Sequence, residues 1–523
     1  MLRRHDTIVT FGLSAALGVL LGFSFPTPGW SWLAIPAVAG LTFLVRTGGL
    51  ARANLAGLGF GAAAFTYTLA WGSAVGPDAW LGLSLLSTAF MPIATTGIWI
   101  TRKLPGWPIW SAGCWVLCEA LRSRIPFGGF SWSRLAFSTP GTPLAHTAAI
   151  GGAPLATFAV ALCAGLLVLV ISSAAHRRSR TAVAAAVTLV AIVLGARAIP
   201  LPIAGQTGGG VPRTIVALVQ GDVAKPGLDF LGRPEQVLQN HVRETVRLAA
   251  MMNAGSVPRP DLVIWPENAS DLDPGQDPSA AALITTAARA LGQPILVGAV
   301  VQAPGDPQHL LNVGIVWDPQ RGAIAQYAKQ HLVPFGEYVP FRSQLARLIS
   351  RFARIPRDFA PGHVPGVLKM GQTTLGDVLC FEIAYDQIPT AAVRAGARVL
   401  VIQTNNATYG RTSQPAQQLA ISRLRAIEHG RAVVIAATSG ITAVIAPDGR
   451  IAEQAPTFVP AVIVRSIPLR DTLTVADRLQ DWPERLICLL TLLAIVAGVR
   501  QGRISIVSRN SGSSVSEKGA PRV

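Results

Sequence analysis

Three side chains whose types suit acyl-group chemistry stand in separate stretches of the chain: Glu267, Lys329 and Cys380. A thiol near its reference pKa is mostly protonated at neutral pH, so Cys380 needs a base to become a nucleophile, and Glu267 can supply one. Attack on an acyl carbon builds up an oxyanion, which a fixed ammonium such as Lys329 stabilises. Each residue also has a plainer reading. Cys380 could be a small buried hydrophobe, Glu267 the cap of a following segment, Lys329 a solvated loop lysine, and Glu337 its ion-pair partner. His331, two residues from Lys329, is an alternative base in a Cys/His scheme. The cysteine distribution favours the chemical reading, because Cys114, Cys118, Cys163 and Cys488 all lie in long apolar runs and Cys380 does not.

The elements that must position these groups read as a soluble α/β domain over residues 211–470, where short β-rich runs alternate with polar segments. Candidate strands are Thr214–Gln220, Asp261–Glu267, Pro294–Val301, Leu311–Trp317, a short buried strand at Val378–Leu379 that ends at Cys380, and Ala397–Gln403. Tyr327–Pro340 is expected to be a loop, since Pro334, Gly336 and Pro340 forbid a regular helix. Gln414–His429 predicts a helix, with Leu419, Leu424 and Ile427 on one face. Val433–Ala437 and Ile441–Ile445, followed by Pro447-Asp-Gly449, predict a hairpin that closes the domain. Glu267 and Cys380 therefore fall at strand ends, where α/β folds present reactive groups.

The rest of the chain is a membrane protein by composition. Half the residues are hydrophobic and 14% are charged, and the mean hydropathy is +0.43. Apolar runs at about 7–25, 31–46, 54–72, 79–101, 107–121, 144–174 and 181–199 predict seven helices in residues 1–200, and a last one at 486–499 makes eight. Residues 201–210 read as a linker and 500–523 as a cytoplasmic tail, Ser-rich and disordered from Ser508. The net charge of +17 sits in short loops and the tail with no long basic block, which fits membrane topology and argues against nucleic acid. Arg3 and Arg4 precede the first run, Arg46 and Arg52 flank the second link, Arg102 and Lys103 follow the fourth run, and Arg177, Arg178 and Arg180 follow the sixth. The positive-inside rule then places both termini in the cytoplasm and residues 211–470 outside. Arg122, Arg124 and Arg134 break the pattern. Around the aromatic, Gly-rich Ile125–Trp132, they would lie on the outer surface facing lipid phosphate, unless a helix is miscounted. Five scattered cysteines offer no disulfide framework, and Cys114 and Cys118 have no nearby histidine to complete a zinc site.

Trp265-Pro-Glu267, Tyr327-x-Lys329-x-His-Leu-Val-Pro-Phe-Gly-Glu337-Tyr338-Val-Pro340 and Cys380-x-Glu382 resemble the Glu-Lys-Cys motifs of the nitrilase (carbon-nitrogen hydrolase) superfamily. With eight membrane helices around them, their wording resembles the bacterial apolipoprotein N-acyltransferase family over almost the whole chain, excluding the Ser-rich tail. That resemblance implies a polytopic α-helical membrane bundle carrying an αββα sandwich, with the site facing the outer leaflet of the cytoplasmic membrane. It implies Cys380 as nucleophile, Glu267 as general base and Lys329 as oxyanion stabiliser, with Glu337, Glu382, Phe381 and Tyr338 in support. It further implies a phospholipid acyl donor, a diacylglyceryl-modified apolipoprotein acceptor, membrane lipid around the bundle, and neither cofactor nor metal. Phe381 stands where the family usually has Tyr. Thr404–Gly410 replaces an Asp- and Trp-containing pattern, and the stretch after Gly221 lacks a tryptophan, Phe230 being the nearest aromatic. These departures are expected to touch the entrance and acyl-chain contacts rather than the triad. Two rival readings remain: a membrane-anchored amidase or nitrilase hydrolysing a C–N bond, and a non-enzymatic membrane scaffold with a degenerate hydrolase domain.

Overall fold

The computed structural model describes residues 4–202, 211–223, 234–345 and 357–512. Most of the expected linker, Phe230 and the tail from residue 513 lie outside the described residues. The first part is a helical bundle: α1 (Arg4–Gly22), α2 (Ala34–Thr47), α3 (Leu50–Thr68), α4 (Pro77–Ala89) running through Phe90 into α5 (Met91–Thr101), α6 (Trp107–Arg122), α7 (Ala148–Ala175) and α8 (Ser179–Ala198). The last helix, Trp482–Gly512, packs on it as well, and several of these helices are long and apolar, as expected of a membrane bundle. By length and composition, His5–Gly22, Pro77–Thr101, Pro143–Ala175, Ser179–Ala198 and Trp482–Gly502 can each cross a membrane. Small residues fill the interior, among them Ala37, Ala53, Ala56, Ala156 and Ala164, as close helix packing in lipid requires. Large apolar side chains such as Ile8, Leu13, Val187, Leu194 and Leu493 point outward. A surface that apolar is suited to hydrocarbon, not water.

The α/β part runs β1 (Arg213–Gln220), α9 (Pro234–Asn253), β2 (Leu262–Ile264), α10 (Pro278–Leu291), β3 (Ile295–Ala303), β4 (Asp306–Asp318), β5 (Gly322–Ala328), α11 (Arg342–Leu345), β6 (Val367–Met370) and β7 (Thr373–Leu379). It continues with α12 (Gln387–Arg394), β8 (Val399–Thr404), α13 (Gln414–His429), β9 (Val433–Ala437), β10 (Ala443–Ile445), β11 (Ile451–Gln454), β12 (Ala461–Pro468), α14 (Val475–Leu479) and the last helix, α15. Two six-stranded sheets result, ordered β12-β1-β2-β3-β4-β5 and β11-β10-β9-β8-β7-β6. In each the central three strands are parallel, β1-β2-β3 and β7-β8-β9, because helices cross between them. β9 and β10 form the expected hairpin, but it does not close the domain: β12 returns to pair with β1 in the other sheet.

Three apolar layers hold this together. Leu238, Leu248 and Ile284 of α9 and α10 cover the outer face of the first sheet. Leu218, Ile264 and Leu296 meet Leu375, Leu379 and Val401 between the sheets. The far face of the second sheet, with Val378 and Ile402, packs on Ile421 and Leu424 of α13 and continues without a break into the membrane bundle. The order is thus helix, sheet, sheet, helix, bundle. The bundle accommodates α13 by bending: α7 is interrupted at Gly151 and Gly152, and Gly152 has φ +69°. That backbone conformation favours glycine, and a side chain there would also lie 2.7 Å from Glu428 Oε1 of α13, which would have to move.

The arginines around Ile125–Trp132 meet protein rather than lipid phosphate. Arg122 donates to the carbonyls of Phe130 and Trp132, and Arg124 pairs with Glu484. Arg134 donates to both Asp386 oxygens at 2.8 Å, and Arg425 of α13 reaches the same carboxylate at 2.7 Å. Arg122 and Arg134 are buried in the junction between bundle and sandwich, where an arginine must be paired.

Candidate active site

Cys380 sits where β7 ends and a single 3-10 turn, Cys380–Ala384, begins. The strand is longer than expected, starting at Thr373. The residue turns off it with φ +53°, in the left-handed region that non-glycine residues seldom adopt. Such a conformation persists only where its surroundings impose it. Here Gln418 Nε2 donates to the Cys380 carbonyl at 3.0 Å, and Arg425 donates to the carbonyls of Ile383 and Ala384. The outcome is a thiol aimed away from the strand end.

Glu267 follows β2 in the facing sheet, and its carboxylate is buried and heavily used. Oε1 accepts from Lys329 Nζ at 3.0 Å and from Asn312 Nδ2 at 2.8 Å, and Oε2 accepts from the Asn405 amide at 2.9 Å. Glu337 Oε1 shares the same two donors, Lys329 at 2.9 Å and Asn312 at 2.7 Å, while its Oε2 accepts from the Val333 amide. Lys329 lies just past β5, which claims Tyr327 and Ala328 from the expected loop. Burial alone would lower the Lys329 ammonium pKa, but Glu267 and then Glu337 more than offset this and hold it well above the ordinary value. It is therefore a fixed cation.

Thr404 Oγ1 donates to Cys380 Sγ at 3.1 Å, and the Glu267 carboxylate and Lys329 ammonium both act on the thiol's ionisation. Burial, reinforced by the Glu267 charge and opposed by Lys329, pushes the thiol pKa up to about 12. At neutral pH the resting group is thus a neutral thiol rather than a preformed thiolate. Sequence, structure and electrostatics bring Glu267, Lys329, Glu337 and Cys380 to one point between the carboxyl ends of parallel strands in the two sheets.

Glu382 is nearby but faces away from the thiol. Its Oε1 accepts from the amides of Gln330 (2.7 Å) and His331 (3.0 Å), its Oε2 from the Leu379 amide (2.9 Å), and Tyr327 Oη lies within 3.0 Å of both oxygens. It fastens the lysine loop to the end of the cysteine strand. Burial raises its carboxyl above the ordinary range, against the pull of the His331 amide and Lys329. Phe381 stacks on Trp132 and Phe130 of the bundle loop, with centroids 5.4 and 5.7 Å apart, so it docks the Cys380 turn on the bundle. Tyr338 is half-buried, and its carbonyl closes a turn with the Phe335 amide; no hydrogen bond joins it to the cluster among the described residues. His331 is not placed as a base. Its ring packs 3.6 Å from that of Tyr385, and burial, then Lys329, lowers its pKa to about 4.

Asn312 and Gln418 escaped sequence reasoning, and Thr404 and Asn405 were read only as part of an entrance segment. Asn312 carried a usable signal, as the one side-chain amide in the otherwise apolar run Leu311–Trp317. The 404–410 segment also corrects an expectation: Thr404 and Asn405 contact Cys380 and Glu267, and Tyr409 lies between that cluster, whose charges act on its hydroxyl, and Trp71 of the bundle, against which it packs edge-on. Among the described residues, no group of three or more His, Cys, Asp or Glu side chains could hold a metal ion.

A buried Glu-Lys-Cys set between two sheets defines a carbon-nitrogen hydrolase domain, and residues 215–476 match that family, described as "Carbon-nitrogen hydrolase". Residues 17–166 match "Apolipoprotein N-acyltransferase N-terminal domain". An apolipoprotein N-acyltransferase of Mycolicibacterium smegmatis is 38% identical over 485 residues, covering 89% of this chain and 81% of that protein. One of Geobacter metallireducens is 30% identical over 488 residues, covering 89% and 90%. Among solved structures, an amidase from Nesterenkonia sp. aligns with 52% of this chain and 95% of its own at 20% identity, with a TM-score of 0.38. The chain belongs to the apolipoprotein N-acyltransferase family, joining a membrane bundle to an acyltransferase domain of the carbon-nitrogen hydrolase superfamily.

Proposed function

We propose that this protein moves an acyl chain from a membrane phospholipid to the α-amine of the N-terminal diacylglyceryl-cysteine of apolipoproteins, by way of a thioester on Cys380. The observation that carries the reading is the cluster in which the Cys380 thiol, the Glu267 carboxylate and the Lys329 ammonium meet, on a sheet whose outer face is continuous with an apolar bundle. In the first half-reaction Cys380 Sγ attacks the ester carbonyl as Glu267 takes the thiol proton. Lys329 stabilises the oxyanion. Collapse breaks the ester C–O bond, and Glu267 returns the proton to the departing lysophospholipid oxygen. In the second, the lipoprotein amine attacks the thioester carbonyl, Glu267 accepts a proton from the attacking nitrogen, and the thiolate leaves and is reprotonated. One cavity can serve two bulky lipids in turn because the intermediate is covalent.

The proposed setting is the bacterial cytoplasmic membrane, multi-pass, with the sandwich on the outer side and both termini in the cytoplasm, on the strength of the Lys/Arg loop pattern. An impermeant amine label that reached the sandwich only after lysis would reverse that orientation. The function itself is tested by mass spectrometry of a lipoprotein's N-terminal peptide from cells with and without this protein. The third acyl group should be present only with it; an identical peptide in both would sink the reading.

A further inference from the structure

Behind the catalytic layer, Asp377 of β7 and Gln403 of β8 point into the gap between the sheets, and both are fully buried. Gln403 Nε2 donates to the Trp265 carbonyl at 2.6 Å. A carbonyl can only accept, so this bond fixes the amide's orientation and leaves Oε1 pointing elsewhere. Among the described residues, no donor meets hydrogen-bond geometry at that Oε1 or at either oxygen of Asp377, and the Val378 amide beside the carboxyl pulls only weakly against the burial that raises its pKa. Both side chains crowd the space over Gly314 of the facing sheet. A Cβ on that glycine would lie 1.9 Å from Asp377 Oδ2 and 2.6 Å from Gln403 Oε1, so the two oxygens can be no farther apart than these distances together. Two buried acceptors side by side, each without a donor, are unfavourable unless a proton lies between them.

We propose that Asp377 is a neutral carboxylic acid that donates its proton to Gln403 Oε1, and that the pair acts as a positioning device for Glu267. Through Gln403 the proton secures the Trp265 carbonyl, two residues before Glu267, and so sets the turn that aims the base at Cys380. Burial, then the charges of Glu382 and Glu267, push the Asp377 carboxyl well above the ordinary range, in keeping with this geometry. Neutrality also suits the chemistry. Three carboxylates, Glu267, Glu337 and Glu382, already act on the single Lys329 ammonium, and a fourth negative charge would oppose the oxyanion.

This inference rests on Glu267 being the base, so its test includes a reading independent of activity. In the infrared difference spectrum of full-length wild type minus Asp377→Asn, at neutral pH in detergent, the carbonyl stretch of a protonated acid should appear and should shift on deuteration. Carboxylate bands in its place would overturn the proposal whatever the protein's function. In acyl loading from phospholipid, Asp377→Asn, which keeps a donor, should stay within about threefold of wild type with an unchanged pH profile. Asp377→Leu and Gln403→Leu should each lower kcat about tenfold at unchanged KM, and the double variant should be no slower than either alone. An Asp377→Asn variant as impaired as Asp377→Leu, or a fully active Asp377→Leu, would refute the positioning role. If Asp377→Leu does not fold, the Asn variant and the spectrum still decide.

Discussion

Replacing Glu382 by Gln separates position from chemistry. The native carboxylate has only acceptors to offer, and four groups use it: the Leu379, Gln330 and His331 amides and the Tyr327 hydroxyl. A glutamine keeps one oxygen. With that oxygen in the Oε1 place, the Gln330 and His331 bonds survive, and the Tyr327 hydroxyl can turn to accept from the new NH2. The Leu379 amide then faces a second donor. With the amide reversed, both loop amides are stranded, so the first orientation wins. One buried donor left without a partner costs about 1–3 kcal/mol. If that cost falls on the distance between Lys329 and Cys380, acyl loading slows about 5- to 150-fold. Single-turnover loading from phospholipid, with thermal unfolding measured in parallel, reads both effects. A wild-type rate would mean that the clamp does not set the site. A folded Glu382→Gln protein as inactive as Cys380→Ala would mean that Glu382 takes part in the chemistry and does not merely hold the loop.

Other expectations follow from the same geometry. Lys329 is 2% exposed, with carboxylate oxygens at 3.0 and 2.9 Å, so Lys329→Arg keeps the charge but adds bulk worth about 1–3 kcal/mol of strain; it should lose about 5- to 150-fold in loading, while Lys103→Arg stays normal. Near-normal transfer by Lys329→Arg would remove its assigned role. With its pKa at about 12, Cys380 should alkylate slowly at pH 7 and faster as pH rises, since thiolate accumulates only towards that value. Glu267→Gln removes a charge that raises the thiol pKa, so it should speed alkylation at fixed pH while slowing acyl transfer; a fall in both rates would contradict the electrostatic account.

Much of this site was legible in the sequence because its chemical residues sit in self-announcing local contexts. Glu267 and Cys380 end apolar strands, and Lys329 opens a proline-bounded loop. The helix Gln414–His429 was legible from Leu419, Leu424 and Ile427 falling on one face, and it forms over those same residues, with Pro415 in its first turn and a left-handed Gly430 after its end. Long-range partners were not legible. β12 is a half-exposed edge strand whose identity depends on pairing with β1 across the whole domain. Arg134 and Asp386 are 252 residues apart, and nothing local says that one neutralises the other. The arginines near Ile125–Trp132 were read as lipid-facing for that reason. Thr404 was read as part of an entrance segment because the register that sets β8 beside β7 is a property of the sheet, not of either strand.

The central claim is a covalent acyl group on Cys380, and intact-protein mass spectrometry tests it most directly. Given phospholipid and no apolipoprotein, the wild-type protein should gain one acyl chain, mapped to Cys380, because water competes poorly in a lipid-filled site. Neutral hydroxylamine should remove it, an N-terminal diacylglyceryl-cysteine peptide should discharge it, and Cys380→Ala should gain none. Label on Cys114, Cys118, Cys163 or Cys488 instead, or transfer that proceeds with no acyl-protein formed, would contradict the account.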